Sequence, residues 1–429
     1  MTEIATTGKP IDFNTLPARD YTEHRQALIQ AFRSVREHTE QIAAPFSPED
    51  QQLQSMPEAS PVKWHLAHCS WFFETFILAE FAPRFECFDE HFCYLFNSYY
   101  NAVGRQYPRP QRGLMSRPGL ERVMQYRKHV TTRMLDLLQD CDDDLFGKLA
   151  ASLVLGLNHE QQHQELIMTD ISHALLLRNS NPGESLSGRS APANSIGSKS
   201  AKENWLDFEG GEVVSGYQGQ GFCFDNELAA HPVLLLPFQI ASQPVSNAQW
   251  IEFIVEGGYQ DPMLWLADGW AWKCENNIRA PLYWHQAGGC WYRGTLSGAG
   301  PVPPDESVSH VSYFEADAFA SWRKARLPRE NEWEHATRMS GWDSNSGDAL
   351  LSLGGNWEWT QSAYSAYPGF RATPGNAAEY NGKFMVNQMV LRGASQATSP
   401  FHSRPSYRNF FYPGARWQFS SLRLANDPV

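Results

Sequence analysis

The stretch FGKLAASLVLGLNHEQQHQELIMTDISHALLL (residues 146–177) is long, rich in leucine and free of proline, the pattern of one extended helix. Inside it, His159-Glu160-Gln161-Gln162-His163 sets two imidazoles four residues apart. That spacing is about one helical turn on a single face, where both rings can share one metal ion. Upstream on the same stripe, Ser152 and Gly156 are small and are expected to leave room beside the site, while Leu153 and Leu157 serve the core. The five residues also fit the zinc-protease pattern HExxH, in which the glutamate activates a zinc-bound water. Against that reading, HEQQHQELIMTD supplies neither the glycine nor the third histidine of a metzincin, and Glu184, at gluzincin-like distance, falls in a stretch of linker composition. Two helix histidines satisfied by ordinary hydrogen bonds are the bland alternative.

A third ligand is available from Trp64-His65-Leu66-Ala67-His68, in an apolar helix expected over about Pro61 to Glu80 with Trp71, Phe72, Phe73, Phe76 and Ile77. Buried histidines need partners, and bundle cores assemble metal sites from facing helices. Three neutral imidazoles leave adjacent positions on an octahedral ion, enough for a thiolate and O2 together. The spacing alone leaves His65 and His68 equally eligible.

The rest of the chain gives this helix its setting. Leu28, Phe32 and Val35 recur at helical spacing, as do Val123, Tyr126, Val130, Met134 and Leu137, and Ser47-Pro48-Glu49-Asp50 reads as a further helix start. Residues 179–202 hold no aromatic and are rich in Ser, Gly and Asn, the composition of a linker. Beyond them come short β-prone runs (Val233 to Ile240, Met389 to Arg392), many tryptophans and occasional helices such as Tyr313 to Arg323, which read as a loop-rich α+β domain. The expected organisation is a helical bundle over 20–178, a linker over 179–202 and a second domain over 203–429.

Composition removes several function classes. With 429 residues the chain has room for two or three domains. Its formal charge is 35 − 47 = −12, which disfavours phosphate backbones and anionic lipid, so neither a nucleic-acid nor a membrane partner is expected. The seven scattered cysteines form no CxxC, unlike a disulfide framework or thiolate zinc site. No basic segment precedes an apolar stretch at the N-terminus, and there is no run of about 18 apolar residues. A cytoplasmic location is expected.

The motifs SMPEASPVKWHLAH (55–68), FNSYYNAVG (96–104), HEQQHQELIMTDI (159–171), GGEVVSGY (210–217), RLPRENEWEHA (326–336), GNWEWT (355–360), VLRGAS (390–395) and RNFFYPGARWQF (408–419) occur in this order. Together they resemble the iron-dependent sulfoxide synthases of ergothioneine biosynthesis, the EgtB family, over most of the chain outside the linker. The resemblance implies a DinB-like helical bundle followed by a formylglycine-generating-enzyme-like domain, a C-type-lectin-related fold. It implies Fe(II) held by His68, His159 and His163, and O2-dependent C–S bond formation between hercynine and a cysteine-type thiol with oxidation to the sulfoxide. Tyr99 and Tyr100 resemble a tyrosine pair of one branch, in which a phenol near the metal supplies a proton or electron; which of the two faces the site is left open.

Gln162, Asn409 and Phe410 resemble residues that contact hercynine, the last on a loop closing the site, and aromatic faces suit a quaternary ammonium. Phe411 and Ala415 depart from the mycobacterial branch, which carries an acid and an arginine there for the γ-glutamyl part of γ-glutamylcysteine. Free cysteine is therefore the favoured donor. In the basic cluster Arg105, Arg109, Arg112 and Arg117, one or two guanidiniums, with Arg109 and Arg112 as candidates, are expected on the donor carboxylate. Arg326, Glu332, Trp333, Trp357 and Trp359 read as fold residues. A selenium-donor relative of the same architecture, a zinc peptidase and a lectin-like binding module are the alternatives. Formylglycine-generating copper chemistry is disfavoured because no cysteine follows Cys290.

Overall fold

The computed structural model describes residues 12–178, 204–341, 355–372 and 381–427; the expected linker, 179–202, lies outside them. Four long helices organise the first stretch: α1 (Arg25–Ala43), α2 (Val62–Phe73), α3 (Leu120–Asp140) and α4 (Asp143–Arg178). The apolar positions read from the sequence on α1 and α3 are all buried, each set forming one stripe turned to a common core. Helix α2 has no polar face; all 12 of its residues are buried. It is therefore central, packed against α3 and α4, while α1 runs along α4. A π-helical turn, Glu74–Leu78, and the short Ala79–Phe81 extend it, so the expected Pro61 to Glu80 helix is present with one irregularity.

Two local expectations change. Ser47 accepts from the Asp50 N–H at 3.2 Å and the Asp50 carboxylate accepts from the Ser47 N–H at 3.3 Å, yet only a 3-10 turn, Asp50–Gln52, follows. Pro57 and Pro61 lie just ahead, and residues before proline are pushed out of the helical region. Gly156 does not leave room: a Cβ there would lie 2.5 Å from Phe73 Cε1 and 3.1 Å from Phe72 Cε1. The missing side chain is the space that these two rings occupy.

The second stretch is α+β. The run Val233 to Ile240 is split into strands His231–Leu235 and Phe238–Ala241, because Pro237 cannot donate to a ladder. Phe238–Ala241 sits between Trp205–Phe208 and Ala425–Asn426, so strands from the two ends of this stretch share one sheet. A four-stranded sheet runs Asn409–Phe411, Met389–Arg392, Trp357–Ala363, Ser420–Leu422, with only the last pair parallel. The helix Tyr313–Trp322 starts at Ser312, whose Oγ accepts from the Glu315 N–H at 3.2 Å. Arg326 pairs with Glu332, and Trp333 donates to Glu358 at 2.7 Å, the structural roles expected of them.

The two halves touch directly. Leu296, from the turn between strands Cys290–Thr295 and Gly298–Pro301, is buried in the apolar cluster of the helical half. One face of α4 bonds to residues 395–407 of the other half: Gln162 and Glu165 reach Tyr407, Ser395 and Thr398, and Gln164 accepts from Ser399. Among the described residues, no helix is long and apolar enough to cross a membrane.

Candidate metal centre

Helical spacing puts His159 and His163 on one face of α4, with ring centroids 4.6 Å apart. From α2, His68 meets both, at 5.0 Å and 4.7 Å. One ring nitrogen from each of the three lies within 4.8 Å of the others, and all three residues are buried. Which nitrogens converge follows from the bonds at the opposite ring positions. His68 Nδ1 lies 2.6 Å from the Phe96 carbonyl; a carbonyl only accepts, so Nδ1 carries the hydrogen and Nε2 keeps the lone pair. That Nε2 is 3.2 Å from His159 Nε2. His163 Nδ1 is engaged by His65 Nδ1 at 2.8 Å, leaving Nε2 for the cluster. Two nitrogens at right angles around one ion, each at about 2.1 Å, stand about 3 Å apart, so the donor set fits a first-row divalent ion.

Aromatic packing fixes the rings. Trp64 stacks on His68 at 4.6 Å with the planes 12° apart, and Phe72 stacks on His159 at 4.5 Å. Because Phe72 also fills the notch at Gly156, the small residue on α4 serves the histidine indirectly. Burial lowers the pKa of all four imidazoles: His159 to about 3, His68 and His163 well below the ordinary value, and His65 in the same direction. They are held neutral, the ligating form.

The glutamate of the HExxH match points elsewhere. Glu160 accepts from Arg36 Nη1 at 2.9 Å and Thr39 Oγ1 at 2.7 Å, and also from Arg127 Nη2. Burial alone would raise its pKa, but Arg127 and Arg36 bring it down to about 2. Every strong contact it makes lies in the α1–α3–α4 core, so it is not placed to activate a water on the histidines, and the peptidase alternative loses its base.

Tyr100 is buried against Trp71, Phe72 and Phe76, one ring removed from His159. Tyr99 is half-buried with φ +66°; its hydroxyl accepts from Arg109, and its ring meets Phe384 edge-on at 5.0 Å. Arg109 also donates to the Glu58 carbonyl. Arg112 is buried, lies 3.4 Å over Trp64, and donates to Ser60 Oγ at 2.9 Å and Ser98 Oγ at 3.0 Å. Among the described residues no carboxylate stands within ion-pair distance of it, and its Nε has no hydrogen-bond partner. Burial, then the charge of Arg109, lowers its pKa to about 9. The Asp170 carboxylate acts on it from a distance without pairing with it, and a buried cation that has no ion-pair partner is suited to receive an anion. Arg105 lies over Tyr94, and Arg117 donates to the neighbouring Ser116 carbonyl.

Gln162 Nε2 donates to Tyr407 Oη at 2.8 Å, and Tyr407 Oη is 3.3 Å from His402 Nε2. Asn409 and Phe410 belong to a strand rather than a loop, because the segment pairs with Met389–Arg392. Phe410 stacks on Tyr364 at 4.0 Å and on Phe384 at 5.9 Å, and Phe384 is the ring that meets Tyr99. The structure thus groups His68, His159 and His163; joins Tyr99, Arg109 and Phe410 through Phe384; and keeps Gln162 on Tyr407. Sequence reading missed Tyr407 and Asp170. Asp170 had a signal: it follows His163 by seven residues, two turns along the same face.

Comparison with known proteins gives a match in each half of the chain. Residues 31–167 match the DinB superfamily, and residues 197–350 match a sulfatase-modifying factor enzyme 1-like domain. The architecture is a DinB-like helical domain followed by a formylglycine-generating-enzyme-like domain. The hercynine oxygenase of Mycolicibacterium thermoresistibile is 31% identical, over 94% of this chain and 95% of that one. That of Mycolicibacterium smegmatis is also 31% identical, over 94% of this chain and 99% of its own. Ergothioneine biosynthesis protein 1 of Schizosaccharomyces pombe is 24% identical over 48% of this chain and 28% of its own.

Proposed function

Since this chain belongs to the hercynine oxygenase family, we propose that it is a cytoplasmic Fe(II)-dependent oxygenase that joins hercynine to free cysteine, giving hercynylcysteine sulfoxide in ergothioneine biosynthesis. The observation that carries the iron reading is the convergence of three neutral Nε2 donors in a buried, aromatic-walled core. Fe(II) would be held by His68, His159 and His163 and would supply there the affinity for a soft thiolate and the reactivity toward O2. The stoichiometry closes without an added reductant: hercynine C–H plus cysteine S–H plus O2 gives the C–S bond, the S=O bond and one water. Forming the C–S bond releases two electrons and oxidising sulfur two more, which balances the four taken up by O2.

The protein's own side chains bind and orient. Arg112, without an ion-pair partner among the described residues and stacked on the same Trp64 that stacks on His68, takes the donor carboxylate, and Arg109 is its second cation. Donor choice follows from what is absent opposite: Phe411 packs on Trp417 and Ala415 is buried, so neither offers a charge to a γ-glutamyl group. Gln162, Asn409 and Phe410 serve the hercynine side, where a quaternary ammonium is favoured by aromatic faces. Of the tyrosines, Tyr99, hydrogen-bonded to Arg109, holds an exchangeable proton beside the donor site, and Tyr100 backs the histidine wall through Phe72. Holding hercynine and the thiol side by side in one site would supply the orientation that separates C–S coupling from simple thiol oxidation.

The test is reconstitution of the apoprotein with Fe(II), hercynine, cysteine and O2. The expected result is the sulfoxide by LC–MS, with O2 and thiol consumed in equal amounts. Cysteine sulfinate as the sole product, or no iron-dependent product, refutes the proposal. Competition of cysteine with γ-glutamylcysteine and a selenium donor fixes the donor.

A further inference from the structure

Three of the four clustered imidazoles are used above, and His65 is not. It is 2% exposed on α2, with both ring nitrogens engaged. Nδ1 lies 2.8 Å from His163 Nδ1, and Nε2 lies 3.2 Å from Asp170 Oδ2. Asp170, buried on α4, takes a second bond on the same oxygen from the Ser60 N–H at 2.8 Å. These contacts fix the direction of the chain of hydrogen bonds. A carboxylate oxygen accepts, so His65 Nε2 carries the hydrogen. A neutral imidazole has only one, so His65 Nδ1 is a lone pair, and the bond to His163 is His163 Nδ1–H donating to His65 Nδ1. His163 Nε2 is then bare, the atom needed beside His68 and His159. The opposite assignment would face a ring lone pair with a carboxylate oxygen in a buried site, two acceptors with no hydrogen between them.

We propose that Asp170 and His65 form a positioning relay for the metal centre, fixing the tautomer and ring angle of His163 from behind and pushing carboxylate electron density toward its Nε2; this rests on the metal reading above. A ligating histidine commonly has one carboxylate or carbonyl behind it. Here the carboxylate acts through an intervening second imidazole, and the ligand positions are unequal: His68 is backed by the neutral Phe96 carbonyl, His163 by an anion through His65.

The test is Co(II) titration of the full-length apoprotein, read by visible absorbance, for the parent, His65→Phe, Asp170→Ala and the double variant. Each single change is expected to weaken Co(II) binding about 10- to 100-fold, with the double variant no worse than the weaker single one, because both cut one chain. Asp170→Asn keeps the shape and one acceptor oxygen but not the charge and is expected to recover only part of the affinity lost in Asp170→Ala, the remainder being the share of the carboxylate's charge; an unchanged far-UV circular dichroism melt of the variants separates loss of the relay from loss of the fold. Histidine nitrogen NMR of the isotope-labelled parent provides a readout without substitution: His65 protonated at Nε2 and His163 at Nδ1. Variants binding within about threefold of the parent, or His65 protonated at Nδ1, overturn the relay alone. A parent that binds no Co(II) overturns the metal reading and the relay together.

Discussion

Replacing Glu160 with glutamine separates a structural carboxylate from a catalytic one. The side chains of Glu160 and Arg127 are wholly buried and that of Arg36 nearly so. With Glu40, which pairs with Arg127 Nε at 2.9 Å, the cluster is two cations and two anions. Glu160→Gln leaves it one positive charge in excess and turns one accepting oxygen into a donor facing a guanidinium. Uncompensated buried charge of this kind costs about 3–5 kcal/mol, a large part of the roughly 5–15 kcal/mol that holds a domain together. For a helical unit of this size the melting temperature should fall on the order of 10 °C. The assay is far-UV circular dichroism of the apoprotein under heat and denaturant, since most helix lies in this half. The pH dependence has a definite sign: the carboxyl is lowered to about 2, so its contribution is complete above the ordinary carboxylate pKa and is lost as pH falls from there toward 2. An unchanged melt accompanied by loss of a zinc-dependent peptide hydrolysis would refute this reasoning and restore the HExxH base.

Gly156→Ala pushes a methyl group into Phe73 and Phe72; overpacking should cost about 1–3 kcal/mol in thermal denaturation. Phe72 stacks on His159, so Co(II) affinity should fall as well, and Ser152→Ala, with no such notch, is the control. Arg112→Met should raise KM for cysteine about 10- to 100-fold, the value of a hydrogen bond to a charged group, with Co(II) affinity close to the parent's; unchanged KM moves the carboxylate site elsewhere. Trp357→Phe removes the 2.7 Å bond to Glu165, which Ser395 and Thr398 also bind. A loss of about 1.5–3 kcal/mol in chemical denaturation is expected, with the metal site intact; no loss would mean that this contact does not join the halves.

The helix bearing His159 and His163, the apolar stripes of α1 and α3 and the loop-rich second half were legible because periodicity and composition are local properties, written within a turn or a strand of each residue. The strand break at Pro237 was equally local, yet the β-prone run Val233 to Ile240 concealed it. The site was legible only as far as residue type and spacing reach: two imidazoles on one face, with a third to be drawn from His65 or His68. Resemblance favoured His68, and the structure gives the physical reason: its Nδ1 finds the Phe96 carbonyl and turns Nε2 toward His159, whereas His65 spends both nitrogens on His163 and Asp170. The fate of Glu160 was likewise undecidable from HEQQH, since Arg36 and Arg127 lie 124 and 33 residues away. A hydrogen bond's direction depends on what stands opposite, and in this chain what stands opposite comes from another helix or from the other half of the molecule.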